Sequence, residues 1–322
     1  MKFFIFSIDT EPDCPCWTGF DRNQLGFKNF DSLGRLWNLA NKYEIPVTFY
    51  VTWSSASNKK ALEWLSKFKK DLNCEIAAHL HPSDTPPFSI IETDNILKLK
   101  NDELESKFDS LHTKISEIYG KPQSFRGAAW TIDSRSVKLL VKHGFTSDSS
   151  VTPGVSWKIK HRQDWSKSPD KPYLLDLSIP GKRGISDILE IPVSIRTIIP
   201  SSLRITGFAG SLMSMPLSSK ESVVFQIIKR LSIRPKWIRP AFTRWDVMKN
   251  VIDYCSSKSG LAHAMAHSSE FSTGTSPYNM NQKSYNKIWE RLEILFSYIR
   301  SKDFVPVTVS KYREYFQKSL TQ

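Results

Sequence analysis

The sequence predicts an α/β protein whose strands close into a barrel or a distorted version of one. Short, β-rich apolar runs alternate with helical stretches from one end of the 322 residues to the other. Most of these runs are apolar throughout instead of at every second position, which is typical of parallel strands covered by helices on both faces. Polar residues with catalytic chemistry follow several of the runs, where a parallel barrel builds its active site.

Eight segments are predicted as strands, because they are short and rich in β-branched and aromatic residues: 3–8, 46–53, 74–80, 124–130, 144–149, 188–195, 261–267 and 304–309. Helices are predicted between them, where apolar residues recur with helical spacing: 29–43, 58–71, 101–119, 133–143, 243–258 and 280–301. We expect one domain, residues 1–322, with proline-rich insertions near 151–187 and 197–242. Long insertions of this kind are often lids or partner surfaces.

The composition indicates a globular protein with an unusually basic surface. Hydrophobic residues make up 40%, and the net charge is +13 with a pI near 9.5. Such a surface suits nucleic acid, an anionic membrane or a phosphorylated substrate. No nucleic-acid-binding motif accompanies the charge, so nucleic acid is not expected as a partner. The apolar start of the chain meets Asp9 and Glu11 at once and lacks a cleavage site, so it is read as a strand of a cytoplasmic protein.

Candidate site residues cluster at predicted strand ends: Asp9 and Glu11 after the first strand, His79 and His81 on the third, Arg126 on the fourth, Asp148 on the fifth and His267 on the seventh. Two imidazoles and one carboxylate are the ligand set of an open catalytic zinc site. Asp9 and Glu11 lie two residues apart, so they share a face, and one binds metal while the other transfers protons. Arg126 is predicted to hold a carboxylate ionised, and His267 is a candidate general acid.

These residues, in this order, resemble the polysaccharide deacetylases of the NodB type (carbohydrate esterase family 4). The similarity is strongest to a branch found in surface-polysaccharide and O-antigen biosynthesis. It rests on Asp-Thr-Glu-Pro-Asp13, Ala-His-Leu-His-Pro82, Asp148-Ser-Ser-Val151, Leu-Glu-Ile-Pro-Val193, and His267-Ser-Ser-Glu270 followed by Ser-Pro-Tyr278. The resemblance implies a distorted (β/α) barrel of about seven parallel strands. It also implies a metal-dependent hydrolase, with Zn²⁺ as the expected ion, that removes an N-acetyl group from an amino sugar.

The resemblance further implies roles for single residues. Asp9 becomes the base that activates water, with Arg126 as its partner, and His267 becomes the acid for the leaving amine. Glu11, His79 and His81 become metal ligands, and Trp130, Ser268 and Tyr278 substrate contacts. Asp148 is a candidate for orienting His267, although Ser-Asp-Ser-Ser is equally typical of a cap or turn.

Three departures from the family pattern weaken particular roles. The family has adjacent aspartates where this chain has Asp9-Thr10-Glu11, so it stays open which carboxylate binds metal. The two histidines are two residues apart instead of four, which alters the coordination geometry. The family's Arg-x-Pro phrase is replaced by Arg-Gly-Ala-Ala-Trp130, which predicts a different substrate pocket.

A basic, amphipathic segment lies in the second insertion. A helix is predicted near 219–233, with a capping-box pattern at Ser218 and Glu221 and a stop at Pro235. It either packs on the barrel or lies on an anionic membrane with Trp237 at the headgroups, surrounded by Lys229, Arg230, Lys236 and Arg239. A cytoplasmic enzyme of this type would act on a nucleotide-linked or lipid-diphosphate-linked sugar, or on polysaccharide.

Other functions remain compatible with these residues. The same site chemistry suits a deformylase or a cyclic-amide hydrolase, because it attacks any amide carbonyl. A catalytically silent barrel that binds glycan or a partner is a different class, and its metal content would distinguish it. A basic nucleic-acid-binding protein is a third class, which salt-dependent binding would reveal.

Overall fold

The computed structural model describes residues 1–13, 24–88, 93–196 and 235–320. Its strands are β1 (Lys2–Thr10), β2 (Val47–Val51), β3 (Glu75–Leu80), β4 (Ser124–Gly127), β5 (Ser147–Asp148), β6 (Ser156–Trp157), β7 (Gln163–Asp164), β8 (Tyr173–Leu174), β9 (Leu189–Glu190), β10 (Ile195–Arg196), β11 (Lys236–Trp237), β12 (Leu261–His267) and β13 (Phe304–Pro306). Its α-helices are α1 (Leu33–Lys42), α2 (Trp53–Ala56), α3 (Lys59–Leu72), α4 (Asn101–Tyr119), α5 (Ser134–His143), α6 (Lys158–His161), α7 (Trp245–Ser259), α8 (Gln282–Ser301) and α9 (Val309–Leu320). Short 3-10 helices cover Lys28–Ser32, Ile96–Lys98, Ala128–Trp130 and Ser268–Phe271.

The main sheet is curled, and its strands are mostly parallel. Their order in space is β12-β1-β2-β3-β4-β5-β9-β8, with β13 also paired to β1. Every neighbouring pair from β12 to β9 is parallel, and only β8 runs antiparallel, against β9. The predicted fold class, a distorted (β/α) barrel of about seven parallel strands, is therefore confirmed. Each of the eight segments predicted as strands contains one strand of this sheet.

Both faces of the sheet are buried, which explains why the strands read as continuous apolar runs. On β1, Phe4, Phe6 and Ile8 belong to a large core shared with α1, α3 and α8, among other elements. Ile5 points to the opposite face and packs in a smaller core with Tyr50 and residues of α9. Because side chains alternate along a strand, Ser7 and Asp9 share the inner face with Ile5.

The two ends of the curled sheet approach each other near β12. Ser194, shortly after β9, donates its backbone N–H to the carbonyl of His263 at 2.9 Å. The His263 N–H donates in turn to Ser194 Oγ at 2.8 Å. These two bonds link the segment after β9 to β12, and no strand pairing joins the two within the described residues.

The helices begin and end at residues with suitable capping chemistry. Asp133 caps α5 by accepting the N–H of Ser136 at 3.0 Å. The left-handed conformation of Gly144, with φ of 70°, ends that helix, and a glycine adopts it without the strain that a Cβ would bring. Asn281 and Ser284 form a reciprocal capping box at the start of α8. All six predicted helical segments contain an observed helix.

The two predicted insertions differ in what the structure describes. Residues 151–187 form the hairpin β6–β7, the short helix α6 and the strand β8, and they bury Trp165 to 1% exposure. The helix predicted near 219–233 lies outside the described residues, as do Lys229 and Arg230. Trp237 is buried and packs on Trp130, so it does not lie at a membrane surface as one interpretation of the sequence required. Within the described ranges, no helix is both long and apolar enough to cross a bilayer.

Candidate metal centre

The carboxyl ends of the parallel strands open onto a pocket of about 600 Å³. Strand register brings distant residues together here: Asp9 lies beside His267 on neighbouring strands, and His79 lies beside Arg126. The pocket is lined by Asp9, Glu11, His79, His81 and His267, with Trp130 and Tyr278 on its walls. The convergence predicted from the positions of these residues is thus present.

Arg126 holds Asp9 in place and keeps it ionised. The guanidinium is fully buried and forms an ion pair with the carboxylate of Asp9. Its remaining donors reach Ser149 O at 3.0 Å, Ser149 Oγ at 2.9 Å and Ser7 Oγ at 3.1 Å. Burial opposes ionisation of Asp9, but the charge and hydrogen bond of Arg126, together with His79 and His267, outweigh it and hold the pKa of Asp9 well below its usual range. The carboxylate is therefore an oriented anion at neutral pH.

His79 and His81 both have their Nδ1 atoms occupied by hydrogen-bond acceptors. Nδ1 of His79 lies 2.9 Å from the Arg126 carbonyl oxygen, and Nδ1 of His81 lies 3.2 Å from a carboxylate oxygen of Asp94. A carbonyl and a carboxylate can only accept, so both Nδ1 atoms carry protons. In the neutral rings the Nε2 lone pairs are then free, which is the form in which histidine binds a metal.

Glu11 lies at the distance that a shared metal requires. Its Oε2 is 3.2 Å from Nε2 of His81, and the possible ligand atoms of Glu11, His79 and His81 all lie within 4.8 Å of one another. Two ligands of one tetrahedral zinc ion, bound at about 2.1 Å, lie roughly 3.4 Å apart. Burial is the main reason why the pKa of Glu11 is raised to about 7, and this cost would be relieved by a bound cation. The donor set fits a divalent metal.

His267 is held in the opposite tautomer by Arg239. Nη2 of Arg239 lies 2.8 Å from Nδ1 of His267, and Arg239 is itself anchored by an ion pair with the buried Glu270. A guanidinium can only donate, so Nδ1 of His267 accepts and its Nε2 carries the proton. That Nε2 lies 3.2 Å from Oε1 of Glu11 and 3.7 Å from Oδ2 of Asp9. Burial, reinforced by the charge of Arg239, lowers the pKa of His267 to about 3.

The tautomers of the histidines decide between two groups of residues whose ligand atoms lie close enough together to hold a metal ion. The first is Glu11, His79 and His81, and the second is Asp9, Glu11 and His267. The second group requires a lone pair on Nε2 of His267, but the contact of Nδ1 with Arg239 places the proton on Nε2. It also requires Asp9 to bind the metal, although Asp9 is already paired with Arg126. The first group is consistent with every hydrogen bond around it, so it is the better candidate.

Three residues predicted to contact substrate occupy different positions. Trp130 lines the pocket with a φ of 59°, and its neighbour Ala129 has a φ of 52°. Two successive non-glycine residues in the left-handed region are strained, and such strain is concentrated at functional sites. Tyr278 also lines the pocket and is 39% exposed. Ser268 instead is 1% exposed, and its hydroxyl donates to the Glu11 carbonyl at 3.1 Å, so it positions Glu11 and does not face substrate.

Asp148 does not orient His267. Its carboxylate accepts hydrogen bonds from the Ser150 hydroxyl at 2.7 Å and from the Ser150 N–H at 3.1 Å. It is fully buried beside Glu190, its register partner on β9, and burial raises the pKa of both carboxyl groups. The turn role that the sequence left open for Asp148 matches these contacts, because Ser-Asp-Ser-Ser forms a local side-chain-to-backbone network.

Sequence reasoning missed two functional positions. Arg239 was grouped with the cations around the predicted basic helix, yet its side chain enters the pocket. Asp94 lies outside every motif, and only the fold brings it to His81. A signal for Arg239 existed in the sequence, since Arg239-Pro240 follows the apolar pair Trp237-Ile238, whereas Asp94 offered none.

Solved structures with the same fold include several hydrolases. A protein from Parabacteroides distasonis described as a glycoside hydrolase/deacetylase aligns with a TM-score of 0.63 and 11% identity, covering 98% of this chain and 71% of its own. One from Mycobacterium smegmatis described as a polysaccharide deacetylase aligns with a TM-score of 0.57 and 14% identity, covering 99% and 91%. The allantoinase Puue aligns with a TM-score of 0.56 and 10% identity, covering 98% and 89%.

These similarities establish a shared fold over nearly the whole chain. At 10–14% identity they do not by themselves establish a shared reaction, because one fold supports many chemistries. No model of a protein family matches the sequence, and no curated protein matches it. The function has therefore to be inferred from the geometry of the site.

Proposed function

We propose that this protein is a metal-dependent amidohydrolase of the NodB-type polysaccharide deacetylase family, which removes an N-acetyl group from an amino sugar. The observation that carries the proposal is the opposite orientation of the imidazoles. Nδ1 of His79 and of His81 faces an acceptor, which leaves Nε2 of each ring as the atom that can bind a metal beside Glu11, whereas His267 carries its proton on Nε2 beside Asp9. The shared fold with proteins described as deacetylases supports the same conclusion.

The proposed metal ligands are Glu11, His79 and His81, and the proposed ion is Zn²⁺. Asp94 and the Arg126 carbonyl would fix the two rings from behind, as outer partners of metal-bound histidines commonly do. When bound, such an ion lowers the pKa of a water molecule and polarises the amide carbonyl. The three-residue set leaves positions open for water and substrate.

The proposed roles of the other residues follow from their contacts. Asp9, held ionised by Arg126, accepts a proton from the water that attacks the amide carbon. The C–N bond then breaks, and the departing nitrogen takes up the proton that Asp9 gained from the water. The Nε2–H of neutral His267 lies 3.2 Å from Glu11 and 3.7 Å from Asp9, so it can donate a hydrogen bond to the departing nitrogen within the same cluster.

The finer substrate assignment is also a proposal. The basic composition, with a net charge of +13, favours an anionic carrier such as a nucleotide or a lipid diphosphate over a neutral polymer. A role in surface-glycan biosynthesis at the cytoplasmic side would supply such substrates. Trp130 and Tyr278 offer aromatic surfaces on the pocket walls against which a sugar ring can stack.

A second candidate is hydrolysis of a cyclic amide. The fold shared with the allantoinase Puue favours it, and the same water-activating set would attack a ring amide. Released acetate distinguishes the two reactions, because opening a cyclic amide liberates no carboxylic acid fragment.

The experiment that tests the proposal combines metal analysis with product detection. Protein purified without chelators should contain about one transition-metal ion per chain. It should release acetate and a free amine from N-acetylated nucleotide sugars or lipid-linked sugars, as measured by mass spectrometry. Replacing both ligand histidines, His79→Ala with His81→Ala, should abolish metal binding and acetate release together.

Two control variants sharpen this test. His267→Ala should keep the metal while losing turnover, because His267 is assigned a hydrogen bond to the departing nitrogen and is not a ligand. His112→Ala, on α4 and outside the pocket, should keep both. Stoichiometric metal in the double variant would refute the ligand assignment. Metal with no hydrolysis of any N-acylated sugar would favour the silent barrel.

A further inference from the structure

Exposed apolar side chains lie next in sequence to residues that line the pocket. Trp157 and Lys160 are lining residues, and Ile159 between them is 63% exposed. Pro277 and Tyr278 are also lining residues, and Met280, two positions after Tyr278, is 62% exposed. The ring of Phe242, 41% exposed, lies 5.3 Å from that of Tyr278.

These side chains are poorly suited to bind a sugar chain. Sugar recognition uses aromatic faces and hydrogen bonds, and the inner walls of the pocket provide both. Ile159 and Met280 have neither, yet they are among the most exposed apolar side chains of the described residues. A single exposed apolar residue needs no explanation, but several around one opening are typical of a surface that meets a partner or a membrane.

Positive charge accompanies the apolar side chains at this opening. The segment around Ile159 reads Lys158-Ile159-Lys160-His161-Arg162, and its two lysines and Arg162 are exposed. Lys158 pairs with Asp164 at 2.9 Å, whereas Lys160 lines the pocket. Apolar side chains that project among lysines and arginines are typical of proteins that insert shallowly into an anionic lipid surface.

We propose that the mouth of the pocket docks on an anionic lipid bilayer, with Ile159 and Met280 inserted at headgroup depth. The pocket would then receive an amino sugar presented on a lipid carrier. The substrate part of this inference rests on the proposed deacetylase function, but the docking itself does not. The docking surface is defined by described residues alone and does not include the segment near 219–233, which lies outside them.

Vesicle sedimentation tests the docking directly. The wild-type protein should sediment with vesicles of phosphatidylcholine mixed with phosphatidylglycerol, and less with phosphatidylcholine alone. Binding should weaken as salt rises, since charge attraction is screened over about 10 Å at 0.1 M. The double variant Ile159→Ser with Met280→Ser should lower the partition coefficient on the order of tenfold, because it removes the inserted apolar groups.

A matched pair of substitutions separates docking from general surface hydrophobicity. Val141 and Ile185 are 46% and 94% exposed and lie outside the pocket lining, on α5 and in the turn before β9. Val141→Ser with Ile185→Ser should leave vesicle binding at the wild-type level, and circular dichroism should show both double variants folded. Absent binding of the wild type would overturn the proposal. So would full binding by the Ile159 and Met280 variant, which would assign the membrane contact elsewhere.

Vesicle binding is expected to be independent of catalysis. Asp9→Asn should bind vesicles as the wild type does, because Asp9 lies at the base of the pocket and is 2% exposed. Vesicle binding that depends on Ile159 and Met280, in a protein that hydrolyses no N-acylated sugar, would support docking and refute the proposed function. Hydrolysis without such binding would refute docking alone.

Discussion

The protonated nitrogen of each imidazole decides what that ring can do in this pocket. His79 and His81 face acceptors with Nδ1, and His267 faces the donor Arg239 with the same atom. Three rings that look equivalent in the sequence therefore separate into two that can bind a metal through Nε2 and one that donates a hydrogen bond from Nε2. This separation depends on single oxygen and nitrogen atoms behind each ring.

Removing Arg239 should disturb His267 without emptying the metal site. In Arg239→Met, Nδ1 of His267 loses its donor, so the ring can adopt either tautomer. We expect turnover to fall about 10- to 100-fold, as is usual when a partner of this kind is lost, with metal content unchanged. Nitrogen NMR of the histidines should show the shift in tautomer. Arg244→Met is the control, since Arg244 is largely exposed and pairs only with Asp246 among its described contacts. Unchanged turnover and tautomer in Arg239→Met would show that Arg239 does not orient the ring.

Metal binding should release protons, chiefly from His81. Burial lowers the pKa of His81, but the carboxylates of Glu11 and Asp94 outweigh this effect and raise it to about 10 in the metal-free protein. His81 is thus an imidazolium at pH 8, and a metal must displace its Nε2 proton. The pKa of Glu11 is raised to about 7, mainly by burial, so at pH 8 most of Glu11 is already ionised. We expect about one proton released per metal at pH 8, and more at pH 7.

Calorimetry in buffers of different ionisation enthalpy measures this release. Protons and the metal compete for the same groups. The metal affinity should therefore fall as the pH drops from 8 to 6. Binding heat that is independent of the buffer would contradict a charged His81.

At the scale of elements, a buried lysine fixes the loop after β3. Lys107 on α4 is 1% exposed, and its ammonium donates to the carbonyls of Pro82, Thr85 and Pro87 at 2.9, 2.8 and 2.6 Å. The Thr85 hydroxyl in turn donates to the carbonyl of His81 at 2.9 Å. The helix α4 thereby supports the loop that carries a proposed metal ligand.

Lys107→Met should destabilise the protein and weaken metal binding together. The substitution leaves the buried carbonyls of Pro82 and Thr85, and the carbonyl of Pro87, without this donor, which should cost about 3 kcal/mol or more in the free energy of unfolding. Urea unfolding measures the loss, and metal titration measures the effect on the loop. Lys138→Met is a suitable control, because Lys138 is exposed on α5. A stability equal to that of the control would show that these contacts contribute little.

Helices and strands with a regular pattern of apolar residues could be predicted from the sequence. Short strands that exist only through pairing with a distant segment could not. The long helix α4 was predicted with its observed ends, 101–119, because its apolar residues recur at helical spacing. The two-residue strands β6, β7, β8, β10 and β11 were missed. A strand of two residues has no periodicity to detect, and it exists only because a distant segment pairs with it.

At the scale of the whole molecule, the polar insertion 151–187 becomes part of the pocket. It was predicted as a long excursion that could be a lid or a partner surface, and Trp157, Lys160 and His161 from it line the pocket. Its position follows from β9, which pairs in parallel with β5 and antiparallel with β8. The chain between β5 and β9 therefore starts and finishes at the sheet and has to pass near the site. An insertion at the carboxyl end of a barrel strand is well placed to shape substrate access.

The sequence by itself determined the class of fold and most of the residues that meet in the pocket. Continuous apolar strands dictate a sheet buried on both faces, and parallel strands bring their carboxyl ends, with Asp9, Glu11, His79, His81, Arg126 and His267, to one edge. Only the tertiary structure decided which histidines donate from Nδ1 and which one accepts there. It also decided that Asp148 and Ser268 bond to neighbouring groups instead of facing the pocket, and that Arg239 lines it. The physical reason is range. Periodicity acts over neighbouring residues, whereas the partner of His267 lies 28 residues away in the chain and the partner of Ser268 lies 257 residues away.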